Sequence, residues 1–203
     1  VSSSTTSGKE PPARGSPRNK GSASLFQRIP LILRMIVYAV LFLGTVLAVI
    51  PWIFYRIDVY FPAVHLEVGT FIRVLGGALF AVSLLSYLFS SYVLTRQGKG
   101  AFVEFDPPTE LVVTGPFRYM RNPVAAFLLS SMLGLAIALS STGVLLMFLV
   151  FTGLANLQVR RIEEPLLRER YGRAYEQYCT HVPRWFPRLE PWTPPAGDTT
   201  IST

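Results

Sequence analysis

Four runs of apolar residues, each near the length that crosses a lipid bilayer, constrain this chain more than any other feature. A hydrocarbon core of about 30 Å is crossed by roughly 20 helical residues. Backbone polar groups in that core must be satisfied within the segment, which selects helices for such runs. The first run, Met35–Phe54 (MIVYAVLFLGTVLAVIPWIF), ends near Pro51 and Trp52, where a kink and an interfacial ring are tolerated, and Arg34 can snorkel from its near end. The second is Val74–Leu94. A polar segment, Thr95–Asn122, separates it from a third run that opens at Pro123. A Ser-Thr turn joins that run to a fourth, Gly143–Val159. The last two are close to the lower length limit and predict a tight antiparallel hairpin over 123–159. Ala126, Ser130, Gly134 and Ala138 recur every four residues, a small-residue stripe that lets a neighbouring helix approach closely.

Composition agrees. Half of the 203 residues are apolar and 15% are charged, against about 25% charged in soluble domains. The net charge of +7 could suggest a nucleic-acid partner, but the basic residues sit beside the apolar runs, as juxtamembrane charges do. No nucleic-acid partner is therefore expected, and membrane lipids are. One cysteine, Cys179, allows no internal disulfide, and two distant histidines, His65 and His181, give a metal little to bind.

Residues 1–24 are rich in Ser, Gly, Pro and basic residues and read as a disordered arm without the apolar core of a signal peptide. Two N-terminal spans follow over 25–95, then a core over 96–190 that contains the hairpin, then a loose tail over 191–203. Lys9, Arg14, Arg18, Lys20 and Arg28 precede the first span; Arg96, Lys99, Arg118 and Arg121 lie between the second and third; Arg160 and Arg161 follow the fourth. The positive-inside rule puts these segments and both termini in the cytosol. Between the first two spans, Arg56 and Arg73 stand against Asp58 and Glu67. After the fourth span, Leu167, Tyr171 and Tyr175 share one face of a polar helix, which reads as amphipathic and interfacial, with Val182, Trp185 and Phe186 as a further interfacial cluster. The expected fold is all-α: a polytopic transmembrane bundle of about four spans with a C-terminal cytosolic amphipathic helix.

Two polar clusters flank the hairpin at the expected cytosolic face. In Thr114-Gly-Pro-Phe-Arg-Tyr-Met-Arg-Asn-Pro123, a Gly-Pro turn leads into a helix start whose N–H groups can bind an anion. The second cluster is Arg160-Arg-Ile-Glu-Glu164. Ionisable groups this close to lipid are costly unless used or paired. They also have plainer readings: topology determinants, or an i,i+4 pair between Arg160 and Glu164.

Taken in order, G-P-F-R-Y-x-R-N-P, the hairpin, and E-E-P-x-L-x-x-x-Y-G-x-x-Y-x-x-Y-x-x-x-V-P-R-W-F-P resemble the isoprenylcysteine carboxyl methyltransferases and related phospholipid methyltransferases, over roughly residues 95–188. The resemblance implies an integral-membrane enzyme binding S-adenosylmethionine in a cytosol-facing pocket. It implies that Leu111, Val112 and Phe117 line that pocket, that Asn122, Pro123, Val124 and Ala125 stand at the family's His-Pro-x-Tyr, and that Glu163, beside Glu164, contacts the cofactor. Asn122 replaces the His and Ala125 the Tyr; Asn offers a donor and an acceptor but does not titrate near neutral pH. Tyr119 and Tyr171 are the candidates to replace the lost ring. Val159 stands where an arginine holds the substrate carboxylate in eukaryotic members, with Arg160 next to it.

A carboxylate nucleophile is already ionised at pH 7 and needs only a cation to hold it, for which Arg121 and Arg160 are the candidates. An amine would need a base, from Glu163, Glu164 or His181. The expected acceptor is therefore a carboxylate or other polar group on a lipid-like or small hydrophobic molecule. The competing readings are a non-catalytic membrane scaffold and a membrane reductase on the same frame. With no organelle signal, a bacterial plasma membrane is the expected location.

Overall fold

The computed structural model describes residues 31–60, 67–98, 111–193 and 201–202. The N-terminal arm, Lys99 and residues 194–200 lie outside these. The elements are α1 (Leu31–Gly44), α2 (Ile50–Tyr60), α3 (Thr70–Gly98), a two-residue strand β1 (Leu111–Val112), a 3-10 turn (Gly115–Arg118), α4 (Pro123–Leu139), α5 (Thr142–Gln158), α6 (Glu164–His181) and β2 (Ile201–Ser202). Two π-helical turns, Thr45–Val49 and Val159–Glu163, join α1 to α2 and α5 to α6. Three helical stretches are long and apolar enough to cross a membrane, Val40–Tyr60, Thr70–Gln97 and Thr142–His181, and Pro123–Leu139 is a shorter apolar helix. The all-α bundle expected from the apolar runs is the architecture found.

Helix α4 lies along α3, α5 returns beside α4, and α2 packs on α5. The α3–α4 approach depends on missing side chains: a Cβ on Gly134 would lie 2.5 Å from the Phe80 amide nitrogen, and one on Gly76 2.7 Å from the Ala138 nitrogen. Gly134 therefore serves close packing. The stripe drifts around the helix, however, and Ala126 and Ser130 line a groove on the α5 side instead.

Two side chains of the preceding spans close the hairpin turn. Ser140 ends α4 in the left-handed region (φ 53), and Ser141 caps α5 by accepting from the Val144 amide at 3.1 Å. The buried Asp58 carboxylate accepts from the Ser141 hydroxyl and from the Gly143 amide at 2.9 and 3.1 Å. It thereby satisfies donors that a helix start leaves open. Arg73 Nε donates to the Ala138 carbonyl at 3.1 Å, at the end of α4, where a cation complements the helix dipole. A Cβ on Gly143 would meet the Phe54 carbonyl at 2.8 Å, so only glycine lets Asp58 come this close.

One apolar cluster (Val46, Met132, Ala136, Val144, Met147) fills the space between the first span and the hairpin. A second (Tyr87, Val93, Val112, Phe117, Val124) joins α3 to the loop before α4. Outward-facing Val74, Val82, Leu85, Phe89, Leu149, Val150, Leu154 and Leu157 are exposed. A belt of this size would be an association surface in water, and in a bilayer it faces hydrocarbon.

Candidate functional site

At the end of the hairpin opposite its turn, the π-helical turn Val159–Glu163 inserts one extra residue per turn between α5 and α6. Such turns shift the helical register and recur at functional sites. Here the shift turns Glu164 inward, with its side chain 4% exposed, and leaves Arg160 and Glu163 accessible. The ion-pair partners of Glu164 among the described residues are Arg121 at 3.1 Å, Arg168 at 3.4 Å and Arg184 at 2.6 Å. Arg184 is bidentate, its Nη2 reaching the second oxygen at 2.9 Å. Burial alone would raise the Glu164 carboxyl, but the Arg184 hydrogen bond and the charges of Arg121, Arg184 and Arg168 outweigh it and hold it below the usual carboxylate range. The i,i+4 partner of Glu164 is Arg168, not the Arg160 of the plainer reading.

Arg121 also donates from Nη1 to Cys179 Sγ at 2.8 Å. Among the described residues its Nε is buried without a partner, as is Thr114 Oγ1. Residues 182–192 form a strap over the start of α4. The Arg121 amide donates to the Pro183 carbonyl at 2.8 Å, the Asn122 amide to Arg184 at 3.3 Å, Arg188 to Tyr119 at 3.0 Å and Trp192 to Arg118 at 3.0 Å. The amides of Arg121 and Asn122, just before the helix start, are thus engaged by the strap. Tyr178 donates to the Phe117 carbonyl at 2.6 Å and pins the Gly-Pro turn to α6. Burial, then the neighbouring Tyr175, raises the Tyr178 hydroxyl far above its ordinary value, so it stays a donor.

Helix α6 bends at Gly172 (φ 50), a conformation suited to glycine. The face that the sequence marked as apolar packs against protein. Tyr175 and Tyr178 pack with Leu111, Val113, Val182 and Trp192, and Leu167 and Tyr171 cover them. The tail, expected to be loose from residue 191, is held in its described parts, through Trp192 and through parallel pairing of Leu111 with Ile201 and Val112 with Ser202.

Of the residues singled out from sequence, Arg121, Asn122, Pro123 and Glu164 meet under the strap. Val124, Val112 and Phe117 are packed in one apolar cluster and Leu111 in another. Ala125 is half-buried, and Glu163 and Arg160 are accessible. Sequence reasoning missed Arg184, Arg168 and Cys179 as members of the network. Arg184 stood in the quoted V-P-R-W-F-P, between a proline and a tryptophan, a setting that could have marked it. Beside the site, a lateral cavity of about 420 Å³ opens between α4 and α5, with Ala126, Leu129, Leu133 and Phe148 among its walls and Asn156, Trp185 and Phe186 included in its lining. Among the described residues no group of three His, Cys, Asp or Glu is placed to hold a metal ion.

No curated protein and no solved structure matches the chain. The profile of the phospholipid methyltransferase family does match, over residues 71–174. That segment runs from the start of α3 through the Gly-Pro turn, the hairpin and the Glu163-Glu164 pair to the middle of α6. With these elements in order over half its length, the chain belongs to the phospholipid methyltransferase family of membrane methyltransferases.

Proposed function

We propose that the protein is an integral-membrane, S-adenosylmethionine-dependent methyltransferase that modifies a carboxylate or other polar group of a lipid-like or small hydrophobic acceptor. The observation that carries this reading is the meeting of Arg121, Asn122 and Glu164 at one end of the hairpin, beside a cavity open to the side. The residues present fit the cofactor. Buried polar atoms without partners are rare, and Thr114 Oγ1 and Arg121 Nε are two such atoms in this part of the chain. Glu163 is exposed to a ligand, and desolvation and then the neighbouring Glu164 raise its carboxyl, a shift that a cationic ligand would offset. Asn122 adds an amide. When bound, S-adenosylmethionine supplies an electrophilic methyl group on a positively charged sulfur.

The chain's own residues then divide the work. Arg121, Arg168 and Arg184 hold Glu164 ionised and occupied, so Glu164 shapes the site and Glu163 is the carboxylate left for a ligand. Leu111, Val112, Phe117, Pro123, Val124 and Ala125 contribute wall rather than polar contact. Arg121, inside the network at the helix start, is a better candidate than the outward-facing Arg160 to hold an acceptor carboxylate. A site built at a helix end in the membrane admits an acceptor from the bilayer and keeps water from the reacting groups. The distribution of basic residues supports a site and termini in the cytosol.

The test is saturable binding of labelled S-adenosylmethionine to the purified chain in lipid nanodiscs. Glu163→Gln and Arg121→Ala should each weaken it by about tenfold or more, the scale of a lost charged hydrogen bond. Wild-type protein without saturable binding would leave the non-catalytic scaffold, and turnover with a nicotinamide would leave the reductase.

A further inference from the structure

The strap over the start of α4 has its polarity reversed relative to a loop in water. Its polar groups point inward. Arg184 pairs with Glu164 at 2.6 and 2.9 Å, the Pro183 and Arg184 carbonyls accept the Arg121 and Asn122 amides, and Arg188 Nη1 donates back to the His181 carbonyl at 3.1 Å. Buried Val182 and Trp192 anchor its two ends. Between them Phe186 and Leu189 turn outward, 82% and 99% exposed. A single exposed apolar side chain is ordinary. Two on one short segment whose polar groups are engaged inside do not suit water as the surroundings. Pro183 and Pro187 fix φ at two positions and stiffen this stretch.

The position of the strap says what covers these two side chains. Trp185 donates its indole N–H to Asn156 Oδ1 at 3.2 Å, which sets the strap at the level of the exposed Leu157 on α5. Phe186 lines the same lateral opening as Leu129, Leu133 and Phe148 of the hairpin. The tip is therefore continuous with the apolar belt that faces hydrocarbon. Glu190, exposed next to Leu189, marks where insertion stops, since a carboxylate is costly in the hydrocarbon. We infer that the tip of the strap, Phe186 to Leu189, is a membrane wedge: the leaflet beside the site takes up these two side chains at its headgroup–acyl boundary, and this contact holds the strap closed over Arg121, Asn122 and Glu164. Bilayer lipid is thus a structural partner of the site, whatever the acceptor. The inference goes beyond the methyltransferase reading and needs no assumption about the reaction.

The experiment uses the full chain in phospholipid nanodiscs with no cofactor or acceptor added. An environment-sensitive fluorophore is attached to Leu189→Cys in a Cys179→Ser background, with Leu154→Cys on the apolar belt as the reference for lipid contact. Lipids brominated near the top of the acyl chain should quench the Leu189 reporter, and aqueous iodide should not reach it. Quenching by iodide alone means a strap in water, and quenching by neither means a strap covered by protein; each overturns the inference. Amide hydrogen exchange, read by mass spectrometry on chains that keep Cys179, then measures closure. Leu189→Ser should speed exchange at Arg121, Asn122, Arg188 and Trp192 by about fivefold, the effect of losing part of one aliphatic side chain's burial, and Leu189→Phe should restore the wild-type rate. At 99% exposure Leu189 has almost no protein packing to lose, so the change reads the lipid contact. The Gly143 and Val144 amides, at the far end of the hairpin, should exchange as in wild type, which separates opening of the strap from unfolding. Unchanged exchange under the strap in Leu189→Ser, or equal acceleration at Gly143 and Val144, would overturn the inference. Labelled S-adenosylmethionine is added last to the wild-type preparation; its failure to bind defeats the enzyme reading alone and leaves the wedge standing.

Discussion

Glu164 is the residue on which the site's order depends. A carboxylate 4% exposed and held by three arginines is costly to disturb, because removing it leaves the largely buried Arg121 and the partly buried Arg184 without their counter-charge. Glu164→Gln should destabilise the protein by about 3–5 kcal/mol, measured by thermal unfolding in detergent. The sign of the pH dependence follows from the depressed carboxyl. Its contribution is complete above the ordinary glutamate value of about 4.3 and is lost as pH falls through the lower folded value. Melting temperature should therefore hold steady from neutral pH to about pH 5 and fall below it, and the fall should be smaller in Glu164→Gln. The Glu-Glu pair was visible in the sequence, but not which member is spent on structure. That choice is made by the π-turn at Val159–Glu163, which no residue pattern announced, and by Arg184, twenty positions downstream.

The α4–α5 hairpin is the element that carries the site, and its far end is clasped by Asp58 and Arg73. Asp58→Ala would strip the acceptor from the Ser141 hydroxyl and the Gly143 amide and should cost about 1–3 kcal/mol of stability, the scale of a buried group left unsatisfied. Affinity for S-adenosylmethionine should stay near wild type in the fraction that remains folded, since the clasp lies at the opposite end; equal loss of both would contradict this division. Gly134→Leu should be harsher, because its side chain would meet the α3 backbone. The hairpin itself was legible, since two short apolar runs with a two-residue break admit few other arrangements. The clasp was not. Asp58 and Ser141 are 83 residues apart, and in the sequence Asp58 and Arg73 read only as opposed loop charges.

Over the whole molecule, an apolar belt surrounds helices whose polar partners gather at two ends. Single-cysteine reporters placed in a Cys179→Ser background at residues 2 and 203 should react with a membrane-impermeant thiol reagent from the same side. Opposite-sided labelling would reject the orientation drawn from the basic residues. The order of the apolar helices could be read from the sequence because bilayer thickness sets a minimum length for each apolar run. The packing of α6 could not. Its apolar face looked suited to a membrane surface, and only the placement of Leu111, Val113 and Trp192 makes it an inward face.

The strap over the start of α4 has a consequence for the order of assembly. Glu164 and Arg121 are synthesised before Arg184, so the hairpin can enter the bilayer while this carboxylate still lacks its bidentate partner. Residues 182–192 then lay down four main-chain hydrogen bonds across the 118–122 segment and deliver Arg184 and Trp185 together. Closure of the site is thus a late event in biogenesis, and a nascent chain released before residue 184 would hold its helices without a finished pocket.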